Sequence, residues 1–306
     1  SSWSPEGTGT VPRAAVNAMS VDVEDWFQVS AFERHIPRQN WSSLPLRVDR
    51  NAHLTLDLLE RYDVSATFFV LGWVAERFPD LVREIVRRGH ELASHGYAHV
   101  RVVHQSPAEF REDVTRTKAM LEQIAGVAVL GYRAASYSIG RDNLWALDIL
   151  GEAGYRYSSS IYPIRHDLYG MPEAPRFAFR YRGEGILEVP ITTVSVLNRN
   201  LPCGGGGYFR LVPYRVSRWA IRRVNRRDRR SAVFYFHPWE LDPGQPRPDG
   251  LGLKTRTRHY LNLNRMEARL ARLLEDFRWD RMDRVFLETS GEEPGGPVFA
   301  QGGAGR

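Results

Sequence analysis

The sequence predicts an α/β protein built on a largely parallel sheet, open or closed into a barrel, in a single domain. Short β-branched or apolar runs alternate with amphipathic stretches from residue 15 to about 160. Ionisable residues follow the ends of four such runs, and neither an internal repeat nor a clear linker divides the chain. Alternation of this kind is the pattern of parallel strands joined by crossover helices. Such folds collect their chemistry at the carboxyl ends of the strands.

The first strand is expected at Ala15 to Val23, followed by a helical pattern with Leu54, Leu58 and Leu59 on one face. Ser65 to Leu71 reads as a buried strand. Pro79, at a favoured first-turn position, opens a helix with Leu81, Ile85 and Val86 inward, which Gly89 ends. Glu91 to Ser94 is a short strand. Ser106-Pro107-Ala108-Glu109 is a capping signature, and its helix carries Phe110, Val114, Leu121 and Ile124 before stopping at Gly126. Val127 to Tyr132 is the next strand, and Asp142 caps a helix through Leu150. Pro163 to Gly185 reads as a long surface loop, after which Gly185 to Ile191 and Ala232 to Phe236 resume the strand pattern. Asp242 to Gly252 is a Pro/Gly-rich loop, Leu261 to Phe277 a final helix and Arg284 to Leu287 a last strand. Residues 1–14 and the Gly-rich 291–306 are expected to be disordered, leaving 15–290 folded.

Composition narrows the function. No run approaches the ~20 apolar residues of a membrane-spanning helix, and the single Cys203 excludes an internal disulfide or a cysteine-based zinc site. Ser1 to Arg13 lacks the apolar core of a secretion signal, which favours the cytoplasm. A chain that begins at Ser leaves the periplasm or exterior open. The net charge of +6 is almost all arginine, since Lys118 and Lys254 are the only lysines. The densest basic run, Arg222 to Arg230, has no interleaved aromatics for base stacking. It reads as a solvated helix face with affinity for anionic polymer or lipid, not as a nucleic-acid site.

Asp22, Glu24 and Asp25 close the first strand; His95 and His99 follow Ser94; Arg133 follows Tyr132; His237 follows Phe236. Two imidazoles four residues apart, on one helical turn, suit one divalent ion. A carboxylate from the acidic strand end would complete a His-His-carboxylate site with positions open for water and substrate. Three carboxylates within four residues would repel unless a cation or proton compensates, so a metal ligand and a separate general base account for them best. His237 is a candidate general acid if it faces that ion across a barrel mouth. The glycine run Gly204 to Gly207 lacks the Gly-Lys-Ser/Thr of a phosphate loop. It reads instead as a flexible loop presenting Tyr208 or Phe209 to a ring of the ligand, or as a plain surface turn. Trp26 and Trp239, each beside a site residue, are either apolar platforms for such a ring or core.

Taken together, Ser20-Val21-Asp22-Val23-Glu24-Asp25-Trp26, Ser94-His95-Gly96-Tyr97-Ala98-His99, Gly131-Tyr132-Arg133-Ala134-Ala135-Ser136-Tyr137 and Phe236-His237-Pro238 resemble the successive motifs of polysaccharide deacetylases, carbohydrate esterase family 4. VDVEDWFQVSAFE, the Cys203–Arg210 segment and FYFHPWELDP resemble a narrower branch found near exosortase and exopolysaccharide loci. The resemblance implies a distorted (β/α) barrel over residues 15–290 as the catalytic domain. It also implies one divalent ion, usually zinc, and removal of N-acetyl groups from N-acetylhexosamine residues of a polysaccharide. Asp22 then matches the catalytic base, His95 and His99 the metal histidines, His237 the acid, and Arg133 the arginine that orients the base. Backbone N–H groups near Ala135–Tyr137 would serve the oxyanion, with Tyr137, Tyr208 and Trp239 at the substrate. The family's adjacent Asp-Asp is spread here into Asp-Val-Glu-Asp. Asp25 is slightly preferred as the metal carboxylate, whereas strand alternation, placing Asp22 and Glu24 on one face, argues for Glu24. Ala135 stands where the family commonly has proline, and Ser158 where the branch tends to have Asp. These two positions keep open a polysaccharide-binding protein without catalysis. A hydrolase of cyclic amides or imides, as in metal-poor relatives of the same broad fold, is a separate alternative.

Overall fold

The computed structural model describes residues 15–166 and 169–288; the disorder expected for 1–14 and 291–306 lies outside these residues. A sheet of nine strands forms the framework among them. Strands β1 (Val16–Val23), β2 (Thr67–Val70), β3 (Glu91–Ser94), β4 (Gly131–Tyr132) and β5 (Tyr157–Ser158) lie side by side in parallel. Beyond β5, the antiparallel β6 (Phe179–Arg180) covers the outer edge of β7 (Leu187–Glu188). A separate hairpin joins β8 (Thr193–Val196) and β9 (Arg199–Pro202). β10 (Val233–Phe236) and β11 (Arg278–Asp280) both pair with β1 in parallel. The sheet curls, and the Tyr235 N–H of β10 donates to Gly204 O, so the chain before the first glycines fills part of the gap towards β7.

Period-two alternation sorts each strand into two layers. Met19 and Val21, Phe68 and Val70, Leu92, and Phe234 and Phe236 face an outer core shared with the helices. Ala18, Phe69, Ala93, Tyr157, Leu187, Val233 and Tyr235 fill the barrel interior. The helices are α1 (Val48–Arg61), α2 (Gly72–Arg77), α3 (Pro79–Arg87), α4 (Pro107–Ala125), α5 (Trp145–Glu152), α6 (Gly206–Leu211), α7 (Tyr214–Arg223), α8 (Leu253–Tyr260) and α9 (Met266–Asp276). At α4 the capping box forms as its sequence predicts, Ser106 and Glu109 each satisfying the other's backbone N–H, with Gly126 in the left-handed conformation after the last turn. In α1, Leu56, Leu58 and Leu59 are buried, but Leu54 faces out.

Several expected elements differ: Phe179–Arg180 of the expected surface loop is strand, and the helix expected to be capped by Asp142 starts at Trp145 without a side-chain cap. Only Gly131–Tyr132 of the run from Val127 is strand, because the Val129 N–H is taken by the Glu122 side chain instead of a neighbouring strand. The expected helix from Leu261 starts at Met266 after a short turn over Leu263–Arg265. Arg284–Leu287 is no strand: Arg284–Glu288 is a wide helical turn, and the last strand is Arg278–Asp280. Just after that strand the Met282 N–H donates to Thr67 Oγ1, and the buried Met282 joins the interior residues, plugging the barrel at the strands' amino ends.

Candidate active site

Continuing the inward phase of the strands one step past their ends places Glu24 after Asp22, His95 after Ala93, Arg133 after Gly131, Ser159 after Tyr157 and His237 after Tyr235. Five strand ends thus deliver five side chains to the barrel mouth. Asp22, Glu24, His95 and Arg133 are all buried there.

Glu24 Oε1 lies 3.0 Å from His95 Nε2 and 3.1 Å from His99 Nε2. Donor atoms about 3 Å apart are what an ion with bonds of about 2.0–2.2 Å holds together. His95 Nδ1 lies 2.7 Å from Arg133 O, so a backbone carbonyl fixes the ring and turns Nε2 towards Glu24, as metal-ligating histidines are commonly held. The set fits a divalent ion in donor type, spacing and orientation. Burial opposes charge on Glu24, but His99, His237 and hydrogen bonds from His95 and His99 outweigh it and hold the carboxyl well below its ordinary range.

The two histidines do not share a helical turn. They lie in an irregular loop, with Gly96 at φ +73° and His99 at φ +51°. Arg38 staples the end of that loop by donating to Ala98 O and His99 O. Asp25, the slightly preferred ligand, turns away from the histidines. It accepts from the Trp26 N–H through Oδ1 and from the Arg47 and Val48 N–H groups through Oδ2, anchoring the start of α1. Burial raises it to about 6 against those three bonds and the charge of Arg47. Glu24 is therefore the carboxylate that meets the histidines, as strand alternation argues.

Asp22 is gripped from one side. Arg133 donates to Asp22 Oδ1 at 2.6 Å and to Ser20 Oγ at 2.9 Å, and its remaining donors reach Ser159 O and Ser159 Oγ. The guanidinium also lies 4.0 Å over the Phe69 ring. Asp22 Oδ2 faces His237 Nε2 at 4.0 Å, and Glu24 Oε1 is 3.8 Å from the same nitrogen. A carboxylate and an imidazole thus face each other beside the candidate metal site.

Sequence reasoning missed what orients His237. The ring's Nδ1 lies 2.8 Å from Glu240 Oε1, three residues on, and Glu240 Oε2 accepts from Arg210 Nε at 2.7 Å. Both Glu240 and Arg210 are buried. The spacing His-x-x-Glu in His237-Pro238-Trp239-Glu240 was the available signal, since Glu240 also accepts from the His237 backbone N–H as a helix cap. Burial disfavours the His237 cation, but Glu24, Glu240 and Asp22 together raise it to about 9. Burial likewise opposes ionisation of Glu240, yet Arg210 and His237 hold it down at about 2.

The glycine run is packed rather than loose. A Cβ on Gly206 would meet the Glu240 carboxylate at 2.4 Å, and one on Gly205 the Tyr235 ring at 2.6 Å. Phe209, one of the two residues expected to meet a ligand ring, is core. Tyr208 is half-buried and hydrogen-bonds Tyr169. Trp26 is core as well, its Nε1 donating to Pro45 O. Trp239 stacks between His237 and His259, at 5.1 and 4.2 Å, and with Tyr137 lines a cavity of about 440 Å³ over Asp22 and Glu24. A second cavity shares Tyr137 and Tyr169 with it, and a third shares Val29, Ser30 and His99. The cleft therefore continues to both sides of the histidines. Ser158 is fully buried and donates to Ser160 Oγ, and the neighbouring Glu188 accepts from the Ser160 and Ile161 N–H groups.

Comparison with known proteins divides the chain in two. Residues 46–158 match the model of the polysaccharide deacetylase family, and residues 159–287 match a domain of unknown function, DUF3473. A peptidoglycan-N-acetylglucosamine deacetylase of Bacillus cereus is 38% identical over 73 residues, 24% of this chain and 26% of the relative. A chitooligosaccharide deacetylase of Bradyrhizobium is 33% identical over 95 residues, 31% of this chain and 41% of that protein. The matches thus span about a quarter to two fifths of these curated relatives. A polysaccharide deacetylase candidate from Mycobacterium smegmatis has a similar fold, with TM-score 0.60 and 20% identity, over 98% of this chain and 99% of that one. An allantoinase shares the fold at TM-score 0.56 and 15% identity, over 91% of this chain and 94% of its own. The α/β fold, a parallel sheet curled towards a barrel, is thereby shown.

Proposed function

From a chain whose residues 46–158 are supported as polysaccharide deacetylase by family model and relatives, we propose a metal-dependent N-deacetylase acting on N-acetylhexosamine residues of a polysaccharide. The observation that carries the reading is the meeting of Glu24, His95 and His99 with a held carboxylate, Asp22, and an imidazole, His237, in one cleft. Two nitrogens and one carboxylate oxygen suit zinc. When bound, such an ion supplies Lewis acidity to the acetamide carbonyl and to water.

The chain's own groups do the rest. Asp22 Oδ2, its partner oxygen pinned by Arg133, takes a proton from the attacking water. His237, charged and oriented by Glu240, gives its proton to the departing amine as the C–N bond breaks, leaving acetate and a free amino sugar. Peptide N–H groups of the Ala135–Tyr137 turn are the proposed oxyanion donors; the Tyr137 N–H itself is bonded to Ala134 O, which leaves those before it. Tyr137 and Trp239 supply apolar walls for the sugar, and Tyr208 acts through Tyr169. The downstream DUF3473 match is compatible with the exopolysaccharide-locus branch, so an exopolysaccharide is the polymer we favour.

The test is acetate release by the zinc-supplemented protein from peptidoglycan, chitin oligomers and bacterial exopolysaccharide. Release that disappears in Asp22→Asn, with oligosaccharide binding kept, supports the enzyme. Binding without release from any of the three by the wild-type protein would sink it in favour of a non-catalytic binding protein.

A further inference from the structure

Between β8 and β9 the chain turns on two residues, Leu197 and Asn198, both in the left-handed region at φ +48° and +58°. A two-residue hairpin loop of this kind is a type I′ turn, whose positions asparagine and glycine fill with least strain. Leu197 is a bulky residue in that conformation and is 93% exposed, so it serves neither the turn nor the core. The hairpin rests on α7 through Val194 and Val196, which pack with Cys203 and Ala220. Val194 stands opposite Leu201 and Val196 opposite Arg199, so these residues share the hairpin face turned to α7. Leu201 is nevertheless exposed. Along α7 the stripe beside Ala220 continues outward as Val216 and Trp219, which are exposed as well. Four apolar side chains thus border one stretch of surface that the fold leaves open.

The same surface is strongly basic. Residues 197–230 hold ten arginines and a single acid, Asp228, which Arg176 takes. Arg210 is buried against Glu240, and Arg218 and Arg222 reach Asp276. Among the described residues Arg199, Arg215, Arg223, Arg226 and Arg227 pair with no carboxylate, and Arg223 lies 5.7 Å over the Trp219 ring. Exposed aliphatic groups beside a tryptophan and unpaired arginines suit a lipid surface. The aliphatic groups enter the acyl boundary, the indole sits among the headgroups and the guanidinium groups meet phosphate. A polyanion in solution would use the arginines and leave Leu197 and Leu201 in water, and a second copy of this surface would bring like charges together. We propose that the β8–β9 hairpin and the arginine-rich side of α7 dock the protein on an anionic bilayer, with Leu197 leading. Such docking holds whether or not the cleft releases acetate.

The experiment is cosedimentation of the full chain with vesicles of phosphatidylcholine alone and of phosphatidylcholine with about one third phosphatidylglycerol. The wild-type protein should prefer the anionic vesicles by about a hundredfold, and rising salt should weaken that binding. Leu197→Asn puts a residue suited to the turn in place of the apolar tip and should weaken binding about tenfold. Arg223→Glu combined with Arg227→Glu should weaken it about a hundredfold. Insertion is read separately from Leu197→Cys carrying an environment-sensitive dye, since the native thiol, Cys203, is buried. Its emission should shift to the blue on the anionic vesicles. No binding of those vesicles by the wild-type protein overturns the proposal. Binding with an unshifted dye, displaced by dextran sulfate, is adsorption of a polyanion and overturns it too.

Discussion

At the carboxyl ends of the strands Asp22 and Glu24 are buried among basic groups, with Arg133 on one and the imidazoles of His95, His99 and His237 around the other. At the amino ends of the same strands Glu91 is equally buried, but its partners are the Thr67 and Tyr157 hydroxyls and the Asp283 N–H. Burial, with Asp283 nearby, pushes Glu91 up to about 8, whereas Glu24 is driven down. The residue type is the same and so is the depth. What separates a site acid from a structural one here is the charge packed beside it. Asp25 belongs with Glu91 in this respect, although it sits one residue from Glu24.

The comparison can be broken most sharply at Asp22. Asp22→Asn should lower kcat by about a thousandfold while leaving bound zinc unchanged, read by acetate release beside elemental analysis. Retained turnover would remove Asp22 from the role of base. Next come the two neighbouring acids, whose losses should differ in kind. Glu24→Gln should weaken zinc about a hundredfold in competition with a chelator. Asp25→Asn should keep the metal but lose roughly 1 kcal/mol of stability, because its three backbone bonds anchor α1.

A smaller effect is expected at Glu240. Removing its charge in Glu240→Gln lowers the His237 pKa from about 9, so the alkaline loss of activity should begin at lower pH. The kcat–pH profile checks it, with a drop of about tenfold at the optimum. An unshifted alkaline limb would mean that His237 is not the titrating acid.

The mildest test is stability against pH at the other end of the barrel. A carboxyl raised to about 8 favours the folded state most below its ordinary 4.5, and that contribution is lost as pH rises through 8. Glu188, which burial raises to about 7, acts in the same direction. The melting temperature should therefore fall between pH 5 and pH 9, a range set about these two groups. Glu91→Gln, with nothing to ionise, should flatten that slope. A slope that is unchanged in the variant would show that Glu91 is already ionised in the folded protein.

Much of this site was legible because strand phase persists beyond the strand. Asp22, Glu24, His95, Arg133 and His237 all follow from period two and from the rule that parallel folds work at their carboxyl ends. Asp25 was misread because its partners, Arg47 and Val48, stand 22 and 23 residues away, where no local pattern points back to it. The helical spacing of His95 and His99 gave the right pair for the wrong reason; Gly96 takes the loop through a positive φ that a helix does not use. Gly206 carried no visible signal, since its need for a bare Cα arises only from Glu240 pressed against it. Arg284–Leu287 is a short apolar run, and such runs do not distinguish a strand from a helical plug.

The boundary between the two family matches falls between Ser158 and Ser159, inside the sheet. Arg133, from the upstream segment, spends two of its bonds on Ser159, and the Ala134 N–H spends its own on Ser160 Oγ. The seam between the segments is thus stitched by the arginine that grips Asp22, while His237 arrives from the far side of the seam. A chimaera exchanging residues 159–287 for another protein's counterpart would inherit a working pair only if the graft brought serines to these two positions and its own histidine to the same strand end.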